Sequence, residues 1–183
     1  MSAEPLLRTA TVADEAGVQA LMTESAAVLF PRYYDERQSA SAVKYVAEVD
    51  RALLEDGTYY VIEAGGEPVG CGGWSRRDKL YTGGGGGTGD ARLLDPATEP
   101  ARVRAMFVRA DWTRRGLGRR ILEACENAAC AEGFKRLALG STLAGLPLYE
   151  AYGFRRLEEF DVTLPDGVTI QAVSMEKPIG ASV

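Results

Sequence analysis

Histidine is absent from the 183 residues, and with it go the commonest general base, the Ser-His and Cys-His nucleophile pairs and the commonest metal ligand. Any chemistry must therefore run on carboxylates, tyrosines, backbone amides or water. Cysteine is scarce: Cys71, Cys125 and Cys130 are an odd number without metal-ligand spacing, which reads as packed thiols kept reduced in a cytosol. No metal is expected. Long hydrophobic runs are missing too. No apolar stretch approaches the ~20 residues that cross a bilayer, and Met1-Ser2-Ala3-Glu4-Pro5 has no basic segment leading into an apolar one. A cytoplasmic protein without a membrane partner is expected. The net charge of -5 supplies no overall field for nucleic acid, so a nucleic-acid partner is not expected and any basic site has to be local.

What is present reads as one globular domain over 1–183: with 46% hydrophobic residues, the chain can bury one sizeable core. A short strand at 6–11 leads through the capping sequence Thr11-Val12-Ala13-Asp14 into a helix over 15–29, which Pro31 ends. A second helix is expected over 39–55, with Val43, Val46 and Leu53 on one side. Strands at 58–63 and 68–74 form a hairpin across Gly65-Gly66, and Ala105-Met106-Phe107-Val108 is the apolar centre of a strand inside the sheet. Leu117, Ile121, Ala124, Cys125 and Ala128 mark a helix over 116–132, stopped by Gly133. A strand at 136–139, a short helix at 146–152 and a closing hairpin across Pro165-Asp166-Gly167 complete an α/β (α+β) chain, a mixed sheet with helices on both faces. The segment 79–100, with its low-complexity glycines at 83–89, breaks the pattern of short connections and reads as a flexible insertion.

Between the strand and the helix lies Thr113-Arg114-Arg115-Gly116-Leu117-Gly118-Arg119. A helix N-terminus offers unpaired backbone N–H groups and the positive end of the helix dipole, and glycines let an anion come close to that backbone. Arg109, Arg114, Arg115, Arg119 and Arg120 crowd the same stretch, opposed only by Asp111, so an anionic ligand is expected. A dinucleotide loop would want a third glycine where Ile121 stands, and the Walker sequence Gly-Lys-Ser or Gly-Lys-Thr occurs nowhere. Gly84-x-Gly86-x-x-Gly89 has the dinucleotide spacing but runs into Asp95-Pro96 and not into a helix.

The strand Ala105-Met106-Phe107-Val108, the arginine-glycine loop and Leu148-Tyr149-Glu150-Ala151-Tyr152-Gly153-Phe154 together resemble the successive motifs of the GNAT superfamily of acyl-CoA-dependent N-acetyltransferases. Thr113 departs from the Gln or Arg with which that loop usually begins. The resemblance implies a mostly antiparallel sheet of about seven strands with a central splay, acetyl-CoA as co-substrate, a small-molecule or protein amine as acceptor, and a homodimer. It further implies that Met106, Phe107 and Val108 pair with the pantetheine arm, that Arg114, Arg115, Gly116, Leu117, Gly118 and Arg119 hold the pyrophosphate, and that Tyr149 is the general acid. Where some members carry a strand glutamate, this chain reads Arg102-Val103-Arg104. By residue type alone Glu24, Asp35, Glu36, Glu63 and Glu99 are candidate bases, with water as the other route. Tyr33, Tyr34 and Trp74 are candidate acceptor walls, and such walls beside carboxylates would suit an ammonium or an amino-acid-like substrate. A non-catalytic acyl-CoA-binding sensor and a nucleotide-binding α/β protein are the alternatives.

Overall fold

The computed structural model describes residues 4–79 and 92–180, so the glycine stretch 83–89 lies outside the described residues. Among them the elements run β1 (Leu6–Thr9), α1 (Glu15–Leu29), α2 (Glu36–Tyr45), α3 (Arg51–Glu55), β2 (Tyr59–Ala64), β3 (Glu67–Ser75), β4 (Ala101–Val108), α4 (Leu117–Ala131), β5 (Arg136–Thr142), α5 (Leu146–Tyr152), β6 (Arg155–Thr163) and β7 (Thr169–Pro178). The strands form one open seven-stranded sheet in the order β1-β2-β3-β4-β5-β7-β6. Every pairing is antiparallel except β4 with β5.

Local chemistry explains most boundaries. Asp14 closes a capping box with Thr11 ahead of α1. Gly65 and Gly66, at φ +60° and +81°, supply the two left-handed residues of the tight β2–β3 turn. The single helix expected over 39–55 is in fact two. Asp35 starts α2 earlier, its carboxylate accepting from the Gln38 amide at 2.8 Å, and Asp50 opens α3 by accepting from the Ala52 amide at 3.1 Å. The break between them contains β-branched Val46 and Val49, weak helix formers. The described part of the expected flexible segment, 92–100, is held against the body: the Leu94 amide donates to the Arg76 carbonyl at 2.7 Å, and Leu94 is buried.

Two apolar clusters cover the two faces of the sheet. One gathers Leu117, Ile121, Leu122 and Cys125 of α4 with Val103, Leu137 and Leu139, and the other gathers Val18, Leu21 and Met22 of α1 with Val61 and Cys71. β4 lies inside the sheet, as expected, and carries a bulge: Cys71 pairs with Phe107 and Gly73 with Arg104, so β4 has one residue more than β3. Ala105 sits there at φ +50°. Ahead of it β4 and β5 pair only at Ala101–Leu137 and Arg102–Ala138. From those pairs onward the strands part.

Candidate active site

The parting of β4 and β5 opens a cleft of about 570 Å³ that is lined from both faces of the sheet. On the α4 face its wall is Trp112, Arg114, Gly116, Leu117, Gly118 and Arg119; on the α1 face it is Leu29, Phe30, Arg32, Tyr33 and Val46. Met106, Phe107 and Val108 of β4 form one side of the gap, and Leu139, Gly140 and Ser141 of β5 the other. The Ser25 hydroxyl ties α1 to the cleft by donating to the Val108 carbonyl at 2.6 Å.

The connection into α4 has two left-handed residues, Arg114 at φ +62° and Gly116 at φ +80°. Gly116 occupies the N-cap position without a side-chain cap, and the Arg120 amide makes the first intrahelical bond to its carbonyl at 3.1 Å. The amides ahead of Arg120 are thus left without intrahelical acceptors. No atom lies within 4 Å of the position a Gly116 Cβ would take, so a ligand can approach that backbone. Gly118 does something different from the expected close approach: a Cβ there would lie 2.7 Å from Leu148 Cδ2, so it lets α4 and α5 pack.

The five arginines are not one cluster. Arg109 binds Asp111 at 2.6 and 2.9 Å, and Arg120 donates to the Pro5 carbonyl at 3.0 Å. Arg115 lies 4.5 Å from the centre of the Trp112 ring and is outside the cleft lining, whereas Arg119 faces Glu123 at 3.4 Å and Arg114 has no ion pair among the described residues. Trp112 escaped the sequence reading; an aromatic between Arg109 and Arg114 is the signal that could have found it.

Tyr149 is 8% exposed and lines the cleft. Its ring packs edge-on against Phe154 with centroids 5.7 Å apart and lies beside Ser141: a Cβ on Gly145 would meet Tyr149 Cε2 at 2.8 Å and Ser141 Oγ at 2.9 Å. Burial pushes the phenol well above its ordinary pKa of 10.0, so it stays protonated at neutral pH.

Of the expected acceptor walls only Tyr33 reaches the cleft, 44% exposed at its rim. Tyr34 is buried, donating to the Gln171 carbonyl at 2.7 Å and accepting from the Leu143 amide at 2.9 Å. Trp74 is buried against Phe134, with centroids 5.9 Å apart. Neither lines the cleft. The candidate bases stand elsewhere as well: Asp35 caps α2, Glu63 binds Arg8 at 2.6 Å, Glu99 binds Arg92 at 2.6 Å, and Glu24 and Glu36 are exposed. Among the described residues no group of three or more His, Cys, Asp and Glu is placed to hold a metal ion, and no helix is long and apolar enough to cross a membrane.

A family model described as an acetyltransferase (GNAT) domain matches residues 55–156. The chain belongs to the GNAT family. The matched span runs from the end of α3 to the start of β6 and contains the bulge, the Arg114–Gly116 connection and Tyr149. No curated protein matches by sequence. Solved structures share the GNAT fold at low identity. A GCN5-related N-acetyltransferase from Rhodopseudomonas palustris superposes with a TM-score of 0.70 at 19% identity over 98% of both chains. The PaiA N-acetyltransferase of Thermoplasma acidophilum, solved with coenzyme A, has a TM-score of 0.66 at 13% identity, covering 96% of this chain and 99% of its own. A ribosomal-protein-alanine N-acetyltransferase from Brucella melitensis has a TM-score of 0.61 at 17% identity, covering 95% and 99%.

Proposed function

We propose that this protein is a single-domain N-acetyltransferase that moves an acetyl group from acetyl-CoA to a primary amine by direct attack in a ternary complex. The observation that carries the proposal is the cleft through the splay, which joins the uncapped start of α4 on one face to Phe30, Arg32 and Tyr33 on the other and has Tyr149 in its lining. The amides at Arg114, Arg115, Gly116, Leu117, Gly118 and Arg119 would receive the pyrophosphate, helped by the helix dipole. The backbone of Met106, Phe107 and Val108, which has no strand partner on its β5 side beyond Arg102, would receive the pantetheine arm as an added strand.

The amine lone pair forms the C–N bond, and the C–S bond breaks with its electrons going to sulfur. A thiolate leaving beside Tyr149 takes the phenolic proton, which burial keeps in place until then. Water returns that proton and removes the excess one from nitrogen, since no carboxylate lines the cleft among the described residues. The protein would work in the cytoplasm, and the homodimer would use the outer edge of β6, where side chains 155–159 are exposed. Acetyl-CoA should raise the melting temperature, and amines should then release free thiol. No thermal shift at millimolar acetyl-CoA sinks the proposal. A shift without thiol release from a broad amine panel favours a non-catalytic acyl-CoA-binding module.

A further inference from the structure

The acceptor end of the cleft has a charge pattern opposite to the one an ammonium needs. The ionisable lining among the described residues is Arg32, Tyr33, Arg104, Arg114, Arg119 and Tyr149, with no Asp or Glu. Arg114 and Arg119 belong to the α4 end and Arg32 and Tyr33 to the α1 end, while the buried Arg104 guanidinium is turned to Asp50. Asp50, the carboxylate bound to Arg104, does not reach the lining: its Oδ2 is taken by Arg104 at 3.0 Å and Lys79 at 3.1 Å. Burial works against the Asp50 charge, but those two cations hold its pKa below the ordinary carboxylate value. The rest of that wall is apolar, from Leu29, Phe30, Val46, Phe107 and Ala144.

An ammonium entering such a site loses its water, meets no carboxylate on the lining and faces the Arg32 guanidinium, and each effect favours the neutral amine. A strongly basic amine must therefore shed its proton first, losing about a factor of ten in competent concentration for each unit by which its pKa exceeds the pH. A weakly basic amine arrives with its lone pair free and needs no base. At the rim Arg32 is exposed and makes no ion pair with the described residues, next to half-exposed Tyr33. A carboxylate on the far side of an apolar acceptor would meet that guanidinium as the nitrogen reaches the splay.

Resting on the acetyl-transfer reading, we propose that the acceptor is a weakly basic, apolar amine bearing a carboxylate, of the aminobenzoate kind, and that polyamines and lysine side chains are poor acceptors. The neutral nitrogen forms the amide bond, its surplus proton leaves to water, and the thiol departs with the proton of Tyr149.

The test measures thiol release from acetyl-CoA with meta-aminobenzoate, aniline, benzylamine and spermidine. The expected order of kcat/KM is the order just given. The arylamine values should stay level with pH across the neutral range, and that of benzylamine should rise about tenfold per unit. Arg32→Gln should cut the preference for meta-aminobenzoate over aniline about tenfold, as loss of a charge-assisted contact does. Faster turnover of spermidine or benzylamine than of the arylamines overturns this inference and leaves acetyl transfer standing, and an unchanged preference in Arg32→Gln overturns the carboxylate assignment. No thiol release from any amine overturns the acetyl-transfer reading and this inference with it.

Discussion

The Tyr59 hydroxyl reaches from β2 across β3 and donates to the Ala105 carbonyl on β4 at 2.6 Å. The crossing needs Gly73, where a Cβ would lie 2.8 Å from the Tyr59 ring and collide with the Thr58 carbonyl oxygen. A left-handed alanine is a strained residue, and this bond fastens it at the point where β4 begins to leave β5. Tyr59→Phe removes the donor and leaves a part-buried carbonyl unpaired, a loss of about 1–3 kcal/mol. Chemical denaturation should show that loss together with weaker acetyl-CoA binding. Loss of stability alone would separate the bulge from the cleft.

Tyr149→Phe keeps the ring and its edge contact with Phe154, so the fold and the affinity for acetyl-CoA should survive. Turnover should fall about a hundredfold, the low end for loss of a general acid. Steady-state thiol release against calorimetric binding checks the split, and unchanged kcat takes Tyr149 out of the mechanism.

Gly116→Ala meets no neighbour, since the space around its Cβ is empty, yet it forces a side chain onto φ +80°. The backbone strain is about 1–2 kcal/mol. The variant should therefore lose both stability and affinity for coenzyme A, read by thermal melting with and without ligand, if the open backbone at the start of α4 is where the pyrophosphate rests.

Cys71 is fully buried, and burial raises its thiol from 9.0 to about 12, with Tyr59 and the Phe107 backbone opposing. The folded state thus keeps a proton that the unfolded chain releases above pH 9.0. This contribution is whole below that pH and is lost between it and about 12, at about 1.4 kcal/mol per pH unit for such a group. Urea midpoints should fall between about pH 8 and about pH 10.5, and less steeply in Cys71→Ala. Equal slopes would assign the alkaline loss to other groups.

The elements that could be read in advance are those whose signals lie within a few residues. The α4 pattern of Leu117, Ile121 and Cys125 is one, and the glycine pair of the β2–β3 turn is another. The α2–α3 break was not legible, because Asp50 looks like any polar helix residue until Arg104, on a distant strand, claims its carboxylate. Aromatic side chains were likewise undecidable from composition. Tyr33 and Tyr34 are neighbours in the chain, but one lines the cleft and the other binds Gln171 and Leu143. The arginines looked equivalent in a run; only the fold set Arg109 on Asp111 and Arg115 on Trp112.

The sequence by itself determined the order of the strands and of the helices other than the α2–α3 pair, the connection that opens α4, and the exclusion of histidine chemistry, since each depends on residue identity and short-range periodicity. The tertiary structure decided the splay, the bulge at Ala105, the burial of Tyr149 and the carboxylate-free lining of the cleft among the described residues. Those features depend on which distant strands and side chains meet, and contacts at long separation leave no local periodicity in the chain to read.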